Sequence, residues 1–134
     1  MVKTIVSCGV ICRMNEFLIC KKGNEKDMGL WEFPGGKLKQ SENIFNCISR
    51  EIKEELSIKV KPLKEIHRYE FSDYILVFIQ CIITQPEELL VLNEHTDYKW
   101  IQLQDVINYS FVPGDVKFVE FLMKNENNLN LSVD

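Results

Sequence analysis

Apolar positions come in blocks whose spacing separates strands from helices. Ile5 to Met14 and Phe17 to Lys21 are two apolar segments parted by Asn15-Glu16, which predicts a β-hairpin. A polar loop, Gly23 to Gly29, follows. Leu30-Trp31-Glu32-Phe33 is then short and extended, because Pro34 pushes Phe33 out of helical geometry. Gly35-Gly36 permits a bend that other residues resist. From Ser41, read as an N-cap, to Leu56 the pattern is helical, with Ile44, Phe45, Ile48, Ile52 and Leu56 on one stripe. After Ile58 the chain predicts two strands joined near Ser72-Asp73. The second, Tyr74 to Ile83, is apolar almost throughout, as a strand covered on both faces would be.

Beyond it, Glu87 to Asp97 reads as an acidic loop, Tyr98 to Gln102 as a strand carrying Trp100, and Leu103 to Ile107 as a short helical turn. Pro113-Gly114 precedes Asp115, which the pattern places as cap of a last helix from Val116 to about Met123. The polar tail, 124–134, is expected to fray. Strands before and after helices predict a mixed sheet covered by helices in a single α/β domain spanning 1–134.

Composition narrows the function classes. The 134 residues are 46% hydrophobic, enough for one core and against wholesale disorder. With 16 Lys+Arg against 20 Asp+Glu the net charge is −4. No basic excess exists to hold polymeric nucleic acid or an anionic membrane face. A small phosphorylated substrate remains compatible, since a metal ion and a few lysines neutralise it locally. No run approaches the length of a membrane span, and the first strand, with Lys3 and Arg13, does not read as a signal segment, so a cytoplasmic location is expected. Cys8, Cys12, Cys20, Cys47 and Cys81 are odd in number and lack paired Cys-x-x-Cys spacing. Buried free thiols are therefore expected, and not disulfides or a zinc site. His67 and His95 have no sequence companions for a triad or zinc set and read as structural or surface residues.

The candidate chemistry lies on the first helix. At about 100° per residue the apolar stripe covers an arc of roughly 120°. Glu51 and Glu54 flank that arc, and Glu55 falls inside it. A carboxylate within a core stripe is costly unless something cationic meets it. Hard oxygens on one helix face suit Mg²⁺ or Mn²⁺. A plain charged edge, compensated by Arg50 and Lys53, is the alternative reading of the helix alone.

Gly36, five residues, Glu42, seven residues, then Arg50-Glu51-Ile52-x-Glu54-Glu55-x-Ser57-Ile58 resembles the signature of the Nudix hydrolases. One defined position departs: Ser57 stands where the family usually has a glycine that ends the helix in the left-handed region, at a cost of about 1 kcal/mol in backbone strain. Trp31-Glu32-Phe33-Pro34-Gly35-Gly36-Lys37 is similar to the MutT-like branch, which cleaves nucleoside triphosphates. The resemblance extends to the Tyr69 to Phe71, Glu94 to Trp100 and Phe111 to Asp115 segments. It implies the Nudix α/β/α sandwich, a mixed β-sheet between the signature helix and a C-terminal helix.

By that resemblance Glu51, Glu54 and Glu55 are metal ligands together with the carbonyl of Gly35, and Mg²⁺ (or Mn²⁺) is the cofactor. Glu94 is implied as a further ligand or as base for the attacking water, with one more loop acid as the alternative. Glu42 and Arg50 are supports that orient Glu51 and Glu54. Lys21 falls where the branch often has an arginine near the phosphates, and Lys37 is a second cation candidate. Phe33 resembles the residue lining the base pocket, Phe71 an aromatic wall, and Trp31 and Trp100 packing residues. Asp115 corresponds to the position that reads the base, a role weighed against the helix cap already noted.

The implied activity is Mg²⁺-dependent hydrolysis of a nucleoside triphosphate, such as 8-oxo-dGTP or CTP/dCTP, to monophosphate and pyrophosphate, by a monomer or homodimer. Hydrolysis of another nucleoside diphosphate-X is the alternative within the same chemistry. A catalytically silent binding module is the alternative outside it, and retention of Glu42, Glu51, Glu54 and Glu55 counts against silence.

Overall fold

In a computed structural model, which describes residues 2–127 and 129–133, the expected hairpin forms between β1 (Thr4–Arg13) and β2 (Glu16–Lys22). Met14 makes the turn with φ 53°. β3 (Trp31–Glu32) and β4 (Gly35–Lys37) flank Pro34, and α1 covers Ile44–Leu56. β5 (Val60–Phe71) and β6 (Tyr74–Ile83) are the expected pair, turning at Ser72-Asp73. Short 3-10 turns at Glu87–Leu89 and Leu103–Asn108 bracket β7 (His95–Ile101), and α2 covers Pro113–Lys124.

The sheet runs β3-β2-β1-β6-β5, with β4 added to β1 and β7 to β2. It is mixed: β1 and β6 are parallel from Thr4↔Tyr74 to Ile11↔Cys81, and the other pairings are antiparallel. Alternation along the central strands divides the core into two layers. Val77, Ile79 and Cys81 of β6 face the α1 side with Ile48, Ile52 and Leu56. Leu76 and Phe78 face the α2 side with Phe118, Val119 and Leu122. A helix on each face of a mixed sheet is the expected α/β/α sandwich. No helix among the described residues is long and apolar enough to cross a membrane. All five cysteines are buried free thiols.

Three local expectations are corrected. The N-cap of α1 is Asn43, whose side chain accepts the Asn46 N–H, because Ser41 sits at φ 72° in the preceding turn. Phe45 is 39% exposed, and Cys47 joins Ile48, Ile52 and Leu56 in the buried stripe instead. β7 begins at His95, three residues early, since its pairing with β2 reaches Lys22↔His95. Over its described part the tail lies on the α2-side core, where Leu129, Leu131 and Val133 pack and the Val133 N–H donates to the Met14 carbonyl at 2.9 Å. Apolar residues at alternate positions give the tail a face to bury.

Candidate active site

Helical geometry places Glu51, Glu54 and Glu55 on neighbouring edges of α1, and the sheet decides which of them is buried. Glu55 lies within the core stripe and is 3% exposed, whereas the Glu54 side chain is half exposed. Burial, then the neighbouring Glu51, Glu94 and Glu32, hold the Glu55 carboxyl well above the usual range. Among the described residues its contact with a basic side chain is with His95 Nε2, at 3.9 Å.

Arg50 organises the rest of the helix edge. Its Nε and one terminal nitrogen donate to both Glu42 oxygens at 2.6 and 3.0 Å. The other nitrogen donates to Glu51 at 2.8 Å and to Glu54 at 3.2 Å, and a further bond reaches the Lys37 carbonyl at 3.1 Å. One planar guanidinium thus restrains three carboxylates and the strand after the glycines. Glu42 is pushed down to about 2, first by its bond to Arg50 and then by the Lys39 N–H.

The glycines provide clearance. A Cβ on Gly36 would stand 2.3 Å from the Glu51 carboxyl carbon, and one on Gly35 would stand 1.9 Å from the Ser7 carbonyl oxygen. Side-chain-free backbone therefore lets β4 lie against β1 while the Glu51 carboxylate rests on Gly36. Gly36 is fixed further by Ser7 Oγ, which donates to its carbonyl at 3.3 Å.

Beside Glu51, ligand atoms of Glu32, Glu55 and His95 lie within 4.8 Å of one another. The His95 ring is buried, its Nε2 lies 2.7 Å from a Glu32 oxygen, and Nδ1 has no hydrogen-bond partner among the described residues. Hard oxygens with one imidazole, gathered around a buried carboxylate lacking a close cation, fit a divalent ion. Glu94 is exposed beside this group and lines a small cleft with Lys22, Gly23, Asn24 and His95.

A cavity of about 230 Å³ opens on the opposite face of the glycine segment. Glu32, Phe33, Gly35, Phe71, Tyr74 and Asp115 line it. Phe33 is buried in an aromatic cluster with Phe17, Phe78, Phe111 and Phe118. Asp115 is not a helix cap. α2 starts at Pro113 with Val112 as N-cap, so Asp115 falls in the first turn and its Oδ2 accepts the Phe33 N–H at 2.9 Å. Its carboxyl is pushed up to about 7 by burial, against the opposing pull of that hydrogen bond.

The two lysines separate. Lys37 Nζ lies 5.7 Å over the Tyr74 ring, beside the cavity. Lys21 lies over Trp31, facing away from the carboxylates, and strand alternation turns Lys22 toward them instead, 3.8 Å from Glu32. Trp31 is buried as expected, while Trp100 is only partly buried and carries the Arg13 guanidinium at 4.0 Å. The sequence reading missed Lys22, Glu32 and His95. The parity of β2 could have found Lys22. His95 joins Glu32 only through the tertiary fold, across 63 positions.

Known proteins resemble this chain in sequence and in fold. The 8-oxo-dGTP diphosphatase of Buchnera aphidicola (subsp. Schizaphis graminum) is 31% identical, covering 90% of this chain and 94% of its own length. The CTP pyrophosphohydrolase of Escherichia coli K12 is 27% identical over 88% of this chain and 90% of its own. A solved MutT structure, from work on Aliivibrio salmonicida and Vibrio cholerae, superposes with a TM-score of 0.73 at 26% identity, covering 91% of this chain and 98% of that one. The NUDIX domain profile matches residues 3–122, and the chain belongs to the Nudix domain family.

Proposed function

We propose that this protein hydrolyses a nucleoside triphosphate to the monophosphate and pyrophosphate, with a divalent ion held by the α1 carboxylates. One observation carries the reading. The carboxylate group and the 230 Å³ cavity adjoin along a single segment, Glu32 to Gly36, so phosphates and base can be held on its two sides. The relatives named for 8-oxo-dGTP and CTP support the same substrate class.

Glu51, Glu54 and Glu55, with the Gly35 carbonyl and Glu94, would hold the divalent ion, and Arg50 with Glu42 keeps Glu51 and Glu54 from drifting apart. The bound ion supplies charge stabilisation at the phosphates and a more acidic water. Water adds to the β-phosphorus, and the bridging oxygen leaves with the α-phosphate. Lys22 faces the carboxylate side and offsets phosphate charge. Phe33 and Phe71 flank the base, and Asp115 accepts from its edge. Amino-bearing bases, guanine and cytosine, suit an acceptor. The enzyme then acts on the cytoplasmic nucleotide pool.

A panel of 8-oxo-dGTP, dGTP, CTP, dCTP and ADP-ribose, with Mg²⁺ or Mn²⁺ and with EDTA, tests this when the products are resolved by chromatography. Monophosphate plus pyrophosphate from a triphosphate, abolished by EDTA, is the expected result. Release of orthophosphate, preference for ADP-ribose, or full turnover in EDTA overturns it.

A further inference from the structure

The last turn of an α-helix leaves four carbonyls without helical partners. In α1 these are filled in an unusual way. Ser57 N–H donates to the Lys53 carbonyl at 3.0 Å, as a C-cap does. The other three are met by a short piece of the loop before β7. Val91 N–H donates to Leu56 at 2.9 Å, Asn93 N–H donates to Glu55 at 2.9 Å, and Asn93 Nδ2 donates to Glu54 at 2.8 Å. The second Nδ2 hydrogen goes to Ser57 Oγ at 2.9 Å. Asn93 thus grips the backbone of two acids of the catalytic helix, and Glu94 is the next residue. Around it, Leu90 and Leu92 pack against the α1-side core while Leu89 and Val91 are about half exposed, so the Asn93 amide adds directed anchors to a loop that is only partly buried.

Ser57 gains meaning from the same contact. It occupies the left-handed region at φ 57°, ψ 25°, where a glycine is unstrained and a serine is not. A glycine has no hydroxyl to offer Asn93. The strained residue therefore buys a second anchor for the amide.

We propose that Asn93 is a positioning residue, with Ser57 as its anchor, that sets Glu94 in register with the carboxylates of Glu54 and Glu55. This rests on the role given to Glu94 above. Asn93 touches neither substrate nor metal. It fixes how far the loop acid stands from the helix acids, and so governs the affinity of a site that both must share.

Mn²⁺ binding to the full-length protein without nucleotide, followed by the EPR signal of the free ion, tests it alongside thermal melts. Glu94→Gln, Asn93→Ala, Ser57→Gly and the Asn93→Ala/Ser57→Gly pair are compared with wild type. Loss of the two side-chain hydrogen bonds in Asn93→Ala should weaken Mn²⁺ binding by about 3- to 10-fold. Ser57→Gly should weaken it by about 2- to 3-fold while the melting temperature stays level or rises, because glycine relieves the strain. The pair should bind as Asn93→Ala alone does, since the hydroxyl acts only through the amide. A residue serving stability alone would lower the melting point and leave Mn²⁺ affinity unchanged. Wild-type affinity in both Asn93→Ala and Ser57→Gly, with Glu94→Gln impaired, overturns the latch and leaves the role of Glu94 standing. Wild-type affinity in Glu94→Gln overturns both.

Discussion

Asp115 holds the backbone of Phe33 through a hydrogen bond that spans 82 positions, Oδ2 accepting the Phe33 N–H at 2.9 Å. That bond ties the first turn of α2 to the segment leading into the glycines. It uses one carboxylate oxygen and leaves Oδ1 without a protein partner among the described residues, at a cavity that Asp115 lines. Asp115→Asn keeps an acceptor for Phe33 and replaces the other oxygen with a donor of similar size. Above pH 7, where the carboxyl is ionised, the exchange should change kcat/KM for the preferred base by roughly 10- to 100-fold, and unequally across bases, because a charge-assisted bond of about 1.5–3 kcal/mol is involved. Steady-state kinetics on 8-oxo-dGTP, dGTP, CTP and dCTP measure it. An equal loss on all four would show that Asp115 only holds Phe33.

The same carboxyl makes stability depend on pH. Its folded value of about 7 lies above the ordinary 3.8, chiefly through burial, so the native chain binds the proton more tightly than the unfolded chain. The favourable contribution is complete below pH 3.8 and is lost as pH rises to about 7, at most about 4 kcal/mol for three units. Raised Glu55 acts in the same direction, and lowered Glu42 acts oppositely, below its ordinary 4.5. Without metal, the wild-type melting temperature should fall from pH 4.5 to 7.5 more steeply than that of Asp115→Asn. Parallel curves would contradict a buried, proton-holding Asp115.

What the sequence made legible was whatever repeats locally. Periodicity placed β5, β6 and the body of α1, and the spacing of Glu42, Arg50, Glu51, Glu54 and Glu55 located the carboxylate edge. Glu55 inside the apolar stripe was readable because a helical wheel is a local property. Asp115 lies in the first turn and not at the cap because proline is tolerated at the first helical position, so α2 starts at Pro113, three residues before the Val116 start that the pattern suggests. Alternation along β2 puts Lys22 on the face opposite Lys21, a local signal, whereas the contact with Glu32 that gives that face its meaning comes from the fold. The pairing of His95 with Glu32 and the grip of Asn93 on Glu54 join distant segments, and no local pattern encodes either.

Arg50 should not tolerate its closest chemical substitute. Its fork reaches Glu42, Glu51 and Glu54 together, and a lysine ammonium can serve as a compact charge but cannot span three carboxylates in that plane. Arg50→Lys should keep the fold, by circular dichroism, and lose about 10- to 100-fold in kcat at saturating Mg²⁺ as Glu51 and Glu54 lose their common restraint. Unchanged kcat would mean that the bound ions alone position these acids.

The two adjacent glycines should fail in different ways when each is changed to alanine. At Gly35 the new Cβ would meet the Ser7 carbonyl oxygen at 1.9 Å and the Ser7 carbonyl carbon at 2.8 Å, both backbone of the β1 strand on which β4 is paired. Backbone cannot move aside without parting β4 from β1, so Gly35→Ala should be destabilised by several kcal/mol, or fail to fold, whether or not metal is present. At Gly36 the clash is with the Glu51 carboxyl, 2.3 Å to its carbon, which is the far end of a flexible side chain. Glu51 can swing away, at the expense of its 2.8 Å bond from Arg50 and its place among the ion-holding carboxylates. Gly36→Ala should therefore keep a near-native melting temperature in EDTA, yet show weakened Mn²⁺ binding and a loss of about 10-fold or more in kcat/KM. Melting curves in EDTA and Mn²⁺ titrations of both variants separate the two outcomes. If Gly36→Ala instead unfolds while binding of Mn²⁺ in the folded fraction is unchanged, the glycine serves the turn and not the Glu51 carboxylate.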